Sequence, residues 1–229
     1  MRLYSIRGGN KQSLYNREYT IGIGISLGNK WFRPENVFSL VQWALNYTKD
    51  FVVIYVADSI HSINIETRNK KTPETAVRRA VQQGTELLKQ IETLTRSQLT
   101  SEEFHKLVFA HWQDLEDENY RKKVECVYEE YSQNQEFKQT IDSIVIEKLQ
   151  REKRSCFPAR ITKLATYVLE ELPELVVRVP ISGYSVDASI YPFDSEIFQI
   201  AEQIQLGGIF PKIKEKIFDT EPKIFLEVR

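Results

Sequence analysis

The chain has 229 residues, of which 41% are hydrophobic and 28% charged. This length allows one large domain or two small ones, and the composition excludes collagen-like, low-complexity and wholly disordered classes. Lys and Arg number 31 against 32 Asp and Glu, which leaves a formal net charge of -1. Contact with nucleic acid therefore requires a local basic patch, because the chain carries no general positive field.

The apolar segments and the cysteines predict a cytoplasmic protein. The most apolar run, residues 51–57, is far too short to span a bilayer, and residues 1–10 lack the apolar stretch of a secretory signal. Cys126 and Cys156 lie far apart, and the 3 histidines do not complete a zinc-ligand spacing. We expect no metal, no cofactor and no membrane partner.

The N-terminal quarter predicts a strand, a helix and a second strand. Residues 19–26 (YTIGIGIS) and 51–56 (FVVIYV) are short apolar runs rich in β-branched residues, which is typical of buried strands. Between them Pro34 begins a segment whose apolar residues recur at helical spacing. A strand, a helix and a strand in fewer than about forty residues form a βαβ unit, which predicts parallel strands with a right-handed crossover.

The remaining patterns predict a single α/β domain over residues 1–229 with a mainly parallel sheet. Helices are predicted over 73–94, over 118–150 with a break near 132–135, over 160–171 with Pro173 as the stop, and over 195–205. A strand is predicted over 106–110. Residues 175–179, 186–191 and 223–228 predict strands or extended segments.

Gly24-Ile25-Ser26-Leu27-Gly28 matches G-x-S-x-G, the nucleophile elbow of α/β-hydrolases, and it follows a predicted strand as that motif requires. A serine esterase is therefore one hypothesis. It is disfavoured because the histidines stand at 61, 105 and 111, whereas the triad histidine of those hydrolases normally comes late in the chain.

A longer segment resembles a different family. Residues 22–32 (GIGISLGNKWF) and the Gln42-Trp43-Ala44 that follows are similar to the N-terminal signature of tRNA-dependent cyclodipeptide synthases. Residues 167–173 (YVLEELP) resemble that family's Y-x-x-x-E helix, and residues 191–194 (YPFD) occupy the place of its second tyrosine. The three motifs in order cover about residues 19–195. The Tyr-Pro pair resembles one branch of the family, although Asn29 is typical of the other.

The resemblance implies a Rossmann-like fold similar to the catalytic domain of class I aminoacyl-tRNA synthetases, and a monomer. It implies that Ser26 carries first an aminoacyl and then a dipeptidyl ester, taken from two aminoacyl-tRNAs without ATP, and that a diketopiperazine is released. It assigns Tyr167 and Glu171 to the substrate ammonium and Tyr191 to proton relay. Tyr167 and Glu171 are four residues apart, so they share a helix face, and we expect Glu170 to face elsewhere.

Further residues are candidates for contacts with the substrate. Asn29 is expected to orient the turn after Ser26, and Asp194 to help position the second substrate. We expect the first side-chain pocket to include Gly22, Gly24 and Ile54, an apolar set that disfavours a charged side chain. For the tRNA, we expect contacts from basic residues in two segments: Arg78, Arg79, Lys89, Arg151, Lys153 and Arg154.

Two other functions compete with cyclodipeptide synthesis and the esterase. An adenylating synthetase is disfavoured because the chain has no H-I-G-H or K-M-S-K-S type segment. A non-catalytic tRNA-binding module is disfavoured by the near-neutral charge. The identity of the two joined amino acids does not follow from the sequence.

Overall fold

The computed structural model describes residues 1–69, 71–192 and 196–229, and the side chain of residue 69 is left undescribed. Within these ranges, one large sheet contains six strands: β1 (Leu3–Arg7), β2 (Tyr19–Ile25), β3 (Thr48–Val56), β4 (Leu107–His111), β7 (Ala188–Tyr191) and β8 (Ile224–Val228). A separate hairpin pairs β5 (Pro180–Ile181) with β6 (Tyr184–Ser185). The strand order in the large sheet is β1-β8-β7-β2-β3-β4, with β1 antiparallel to β8 and the other neighbours parallel. This architecture confirms the predicted α/β class.

The helices connect and cover the strands. In the described ranges they are α1 (Lys11–Tyr15), α2 (Pro34–Tyr47), α3 (Asp58–Asn69), α4 (Pro73–Gln98), α5 (Ser101–Phe104), α6 (Glu118–Gln133), α7 (Gln135–Arg151), α8 (Pro158–Val176), α9 (Glu196–Leu206) and α10 (Pro211–Ile217). A 3₁₀ turn covers Trp112–Asp114. No helix in the described part of the chain combines the length and the apolar composition needed to cross a membrane.

The alternation of side chains along β2 and β3 creates two separate cores. Ile23 and Ile54 belong to the core on the face covered by α2 and α4. Val53 and Tyr55 point to the opposite face and join the core that contains α8. Consecutive strand residues point to opposite faces, so each strand supplies both cores.

Helix α8 continues through Pro173, so the predicted stop at this residue is wrong. Pro173 lacks the N–H that would extend the hydrogen-bond ladder, yet Leu172, Leu175 and Val176 on either side of it are buried. The Val177 N–H donates to the Pro173 carbonyl at 3.1 Å and closes the last turn. Packing of this apolar end therefore outweighs the cost of the proline, and it places residues 175–176 in a helix rather than in the predicted extended segment.

The sheet changes direction of winding between β2 and β7. From β2 the chain proceeds through β3 to β4 on one side, and it later adds β7 and β8 on the other side. The carboxyl ends of these two parallel strands lie at the same edge of the sheet. From there the chain departs in opposite directions, towards β3 and towards β8, and this opens a crevice between the two connections. Open α/β sheets bind their ligands at such a switch point.

Candidate active site

A partly enclosed cleft lies at the carboxyl ends of β2 and β7. Ser26 follows β2 directly and Tyr191 is the last residue of β7, while Glu171 reaches the cleft from α8. All three side chains are partly exposed. Deeper in the same cleft lie Tyr55, Glu174 and Ser189, all of which are buried. Three separated motifs of the sequence therefore meet at one cleft.

The turn after β2 is shaped by Asn29. Its backbone N–H donates to the Ser26 carbonyl at 3.3 Å, and its side-chain Oδ1 accepts from the Trp31 N–H at 3.0 Å. Gly28 has φ +85°, a left-handed conformation that glycine adopts without strain. The Asn29 backbone thus closes the turn at Ser26, and its side chain bonds to the backbone of Trp31.

Tyr167 contacts the nucleophile candidate from α8. The tyrosine is buried, and its hydroxyl lies near the Ser26 side chain. Burial and the charge of Glu171 raise the pKa of Tyr167 well above its usual value, and the nearby Ser26 side chain opposes them. The Tyr167 hydroxyl is therefore protonated at neutral pH. The Lys148 Nζ lies 5.5 Å from the centre of the tyrosine ring.

Glu171 and Glu170 face different parts of the molecule. Burial, with a further contribution from Glu174, raises the pKa of Glu171 to about 7, although the nearby Lys148 lowers it. Glu170 instead accepts a 3.0 Å hydrogen bond from the Tyr128 hydroxyl and lines a groove between α3, α6 and α8. The two adjacent carboxylates therefore have separate surroundings, as expected for neighbours on a helix.

Tyr191 stands at the mouth of the cleft between two aromatic rings. Its ring centre lies 5.7 Å from that of Phe32 and 4.7 Å from that of Phe198. Burial, followed by the charges of Glu171 and Glu174, raises the pKa of Tyr191, so its hydroxyl is protonated at neutral pH. The side chain is positioned by packing, and its protonated hydroxyl has the chemistry of a hydrogen-bond donor.

The inner end of the cleft contains a polar cluster that the sequence analysis missed. The Tyr55 hydroxyl donates to Glu174 Oε1 at 2.7 Å, and Ser189 Oγ lies 3.4 Å from the same oxygen. Lys223 Nζ forms an ion pair with Glu174 Oε1 at 3.1 Å, with both side chains almost fully buried. Burial lowers the pKa of Lys223, and Glu174 opposes this shift. The spacing of Glu174 three residues after Glu171 was the signal in the sequence, since it places both on one helix face.

The expected first pocket is corrected by the strand register. Ile54 is fully buried in the core beneath α2 and α4, on the far side of the sheet from the cleft. Gly24 pairs with Tyr55, and a Cβ at Gly24 would lie 2.9 Å from the Tyr55 hydroxyl oxygen. At Gly22 a Cβ would lie 2.6 Å from Val186 Cγ1. Tyr55 and Val186 therefore occupy the space that these glycines leave.

Asp194, which the sequence predicts to help position the second substrate, lies outside the described residues.

The basic residues predicted for tRNA contact are all exposed and lie on α4 and at the end of α7. Arg151, Lys153 and Arg154 stand at the end of α7, where Glu152 contacts both Arg154 Nε at 3.2 Å and Arg68 at 2.6 Å. Arg68 belongs to the last turn of α3, and Arg78 and Arg79 lie near the start of α4, which follows and packs against α3. Lys89 lies further along α4, beside Pro34 and Glu35.

Comparisons with known proteins agree with this architecture. The family model described as Cyclodipeptide synthase matches residues 9–209. No curated protein sequence matches the chain. A cyclodipeptide synthase structure from Fluoribacter dumoffii is 21% identical and covers 97% of each chain, with a TM-score of 0.71.

Two further structures share the fold. A Mycobacterium tuberculosis protein, whose structure demonstrates that cyclodipeptide synthetases are related to type I tRNA synthetases, is 17% identical with a TM-score of 0.63. The matched region covers 88% of this chain and 83% of the Mycobacterium tuberculosis protein. A cyclodipeptide synthase from Candidatus Glomeribacter gigasporarum bound to Phe-tRNA is 16% identical over 92% of this chain and 88% of its own, with a TM-score of 0.58. The family match includes the strand β2, the helix α8 and the cleft residues Ser26, Glu171 and Tyr191, and the chain belongs to the cyclodipeptide synthase family.

Proposed function

We propose that the protein joins the aminoacyl groups of two aminoacyl-tRNAs into a cyclodipeptide through covalent intermediates on Ser26. The observation that carries this proposal is the convergence of Ser26, Glu171 and Tyr191 on one cleft at the switch point of the sheet. Tyr167 is buried beside them, near Ser26. An aminoacyl-tRNA is already an activated ester, so acyl transfer from it requires no ATP.

In the first step, Ser26 Oγ attacks the ester carbonyl of the first aminoacyl-tRNA. The new bond joins Oγ to the carbonyl carbon, the bond to the ribose oxygen breaks, and the serine proton passes to the departing ribose oxygen. Ser26 is partly exposed in a turn fixed by Asn29, which leaves its hydroxyl accessible for this attack. The tRNA leaves, and the aminoacyl group remains as a serine ester.

In the second step, the amine of this aminoacyl ester attacks the carbonyl of the second aminoacyl-tRNA. Glu171 is the base, because a carboxyl whose pKa is about 7 binds an ammonium group when ionised and accepts its proton near neutral pH. The second tRNA leaves and a dipeptidyl ester remains on Ser26. Tyr167, one helical turn before Glu171, orients the same amino group.

In the third step, the free amine of the dipeptide attacks the ester carbonyl on Ser26. The second amide bond closes the diketopiperazine ring, and Ser26 Oγ leaves and recovers a proton. We assign this proton transfer to Tyr191, whose protonated hydroxyl stands at the mouth of the cleft.

The esterase hypothesis has weak support among the described residues. His61 packs near Gly28, but its Nδ1 has no hydrogen-bond partner there, so no acid orients the ring as a triad requires. Burial lowers the pKa of His61 to about 4. His111 pairs with Asp58 at 2.6 Å instead.

For the tRNA, we propose that the acceptor end approaches across the basic residues at the end of α7 and the start of α4. Arg151 and Lys153 are exposed, and Arg68 and Glu152 connect this region to the end of α3. A fold neighbour bound to Phe-tRNA makes such a substrate reasonable. A monomeric, cytoplasmic enzyme remains our expectation.

The purified protein, mixed with aminoacyl-tRNAs, tests this function. We expect diketopiperazines in the products by mass spectrometry, without added ATP. Release of free amino acids without cyclic product would favour the esterase, and unchanged aminoacyl-tRNA would favour a binding module.

A further inference from the structure

The buried end of the cleft carries a carboxylate that is only half satisfied. Tyr55, Ser189 and Lys223 all approach Glu174 at the same oxygen, Oε1. No residue in the described ranges donates a hydrogen bond to Oε2. Glu174 lines the cleft, so a bound group that donates a hydrogen bond to this second oxygen is stabilised there.

The same cleft contains an unpaired donor. Trp112 lines the cleft, and its buried Nε1–H has no acceptor among the described residues. A hydroxyl or carboxamide group both donates and accepts hydrogen bonds, whereas an aliphatic side chain does neither. The polar groups of the cleft therefore complement a side chain that carries a hydroxyl or a carboxamide group.

Charge and size restrict the side chain further. Lys223 compensates the charge of Glu174, so a second buried cation would be uncompensated, and an anion would be repelled by the carboxylate. The whole cleft, from Ser26 and Tyr191 to Glu174, holds only about 60 Å³, and the ring of Tyr55 fills the region in front of Gly24. Long side chains do not fit this space.

We infer that this end of the cleft selects an aminoacyl group with a short, uncharged side chain that donates a hydrogen bond to Glu174, as in seryl, threonyl or asparaginyl groups. This inference rests on the proposed acyl transfer to Ser26. It replaces the sequence-based expectation of an apolar pocket, because the polar residue Tyr55 faces the cleft where Ile54 was expected.

The test uses pairs of side chains with the same shape. One tRNA is charged in turn with threonine or valine, asparagine or leucine, and asparagine or aspartate, so that only the side chain differs. The rate at which the protein gains the mass of one aminoacyl group is followed for each. We expect threonyl over valyl, asparaginyl over leucyl and asparaginyl over aspartyl transfer, each by about tenfold or more.

A double variant tests the role of Glu174. Glu174→Leu combined with Lys223→Met removes both buried charges together, an exchange that proteins often tolerate. We expect it to lose the preference for threonyl over valyl groups, whereas Glu170→Leu, on the other side of α8, keeps it.

The outcomes separate the two proposals. If valyl groups were transferred to the protein as fast as threonyl groups, or leucyl groups faster than asparaginyl groups, this inference alone would be overturned. No acylation from any of the charged tRNAs would overturn the proposed function and this inference with it. Should the double variant fail to fold, the wild-type rates still decide.

Discussion

The Tyr55 hydroxyl donates a 2.7 Å hydrogen bond to Glu174, a residue 119 positions later in the chain. This contact joins strand β3 to helix α8 beneath the proposed nucleophile. It also fixes the carboxylate whose second oxygen faces no donor among the described residues.

We expect Tyr55→Phe to destabilise the protein, because it removes a buried hydrogen bond to a carboxylate while preserving the ring. The expected loss is about 1.5–3 kcal/mol in the free energy of unfolding, measured by denaturant titration. Tyr128→Phe is the control, since it removes a 3.0 Å bond to Glu170 at a less buried position. Equal losses in the two variants would contradict a special role for the Tyr55 contact.

Glu171→Gln should lower cyclodipeptide formation by about a hundredfold or more. The amide preserves the size of the side chain but loses the charge that holds the ammonium and the base that accepts its proton. Glu170→Gln should leave turnover nearly unchanged, because Glu170 faces the groove between α3, α6 and α8. Both variants are assayed together after their thermal stability has been compared. A larger loss for Glu170→Gln would mean that the wrong carboxylate has been chosen.

The pH dependence of the reaction should report Glu171. Its pKa is raised to about 7, so the ionised base is gained as the pH rises from 6 to 8, and the rate of product formation should rise in this range. The rise should be absent in Glu171→Gln. A wild-type rate that is flat between pH 6 and 8 would argue against Glu171 as the base.

The same shift predicts an effect on stability. The folded protein binds the Glu171 proton more tightly than the unfolded chain, whose carboxyl has an ordinary pKa of 4.5. Protonation therefore stabilises the fold, and this contribution is lost as the pH rises from about 4.5 through 7. The Tm of Glu171→Gln minus the Tm of wild type should therefore be more positive at pH 8 than at pH 5. A difference in Tm that does not change with pH would contradict the raised pKa.

Neutralising Arg151, Lys153 and Arg154 together should raise the KM for aminoacyl-tRNA and flatten its dependence on salt. Each phosphate contact that is lost should reduce the slope of log affinity against log salt by about one unit. The control removes three positive charges elsewhere, at Lys11, Lys122 and Lys212. A slope equally changed in the control would indicate a general charge effect, and an unchanged slope in the first variant would locate the RNA elsewhere.

The sequence predicted the elements in which apolar residues repeat clearly. The strand β2, the helix α2 and the strand β3 were found because their buried positions are almost all apolar. Helix α3 was missed because Asp58, His61 and Asn64 are buried, so polar residues interrupt the apolar pattern. Pro173 misled the prediction because packing at the end of α8 outweighs the local preference.

The family resemblance is confirmed by the match over residues 9–209, whereas the assignment to the Tyr-Pro branch remains a prediction. The family resemblance predicts Ser26, Tyr167, Glu171 and Tyr191 as one set, and their catalytic roles remain a prediction. They did not identify the polar cluster, because it depends on which face Tyr55 takes in β3 and on Lys223 reaching Glu174 from the segment before β8. Contacts between distant segments of this kind leave no periodic pattern in the sequence.

The most direct test of the central claim is the covalent state of Ser26. The protein is mixed with one aminoacyl-tRNA, quenched in acid and analysed by intact-mass and peptide mass spectrometry. We expect a mass gain of one aminoacyl group on the peptide that contains Ser26, and no gain in Ser26→Ala. A mass gain that persists in Ser26→Ala, or that lies on a different peptide, would contradict Ser26 as the residue that carries the acyl group.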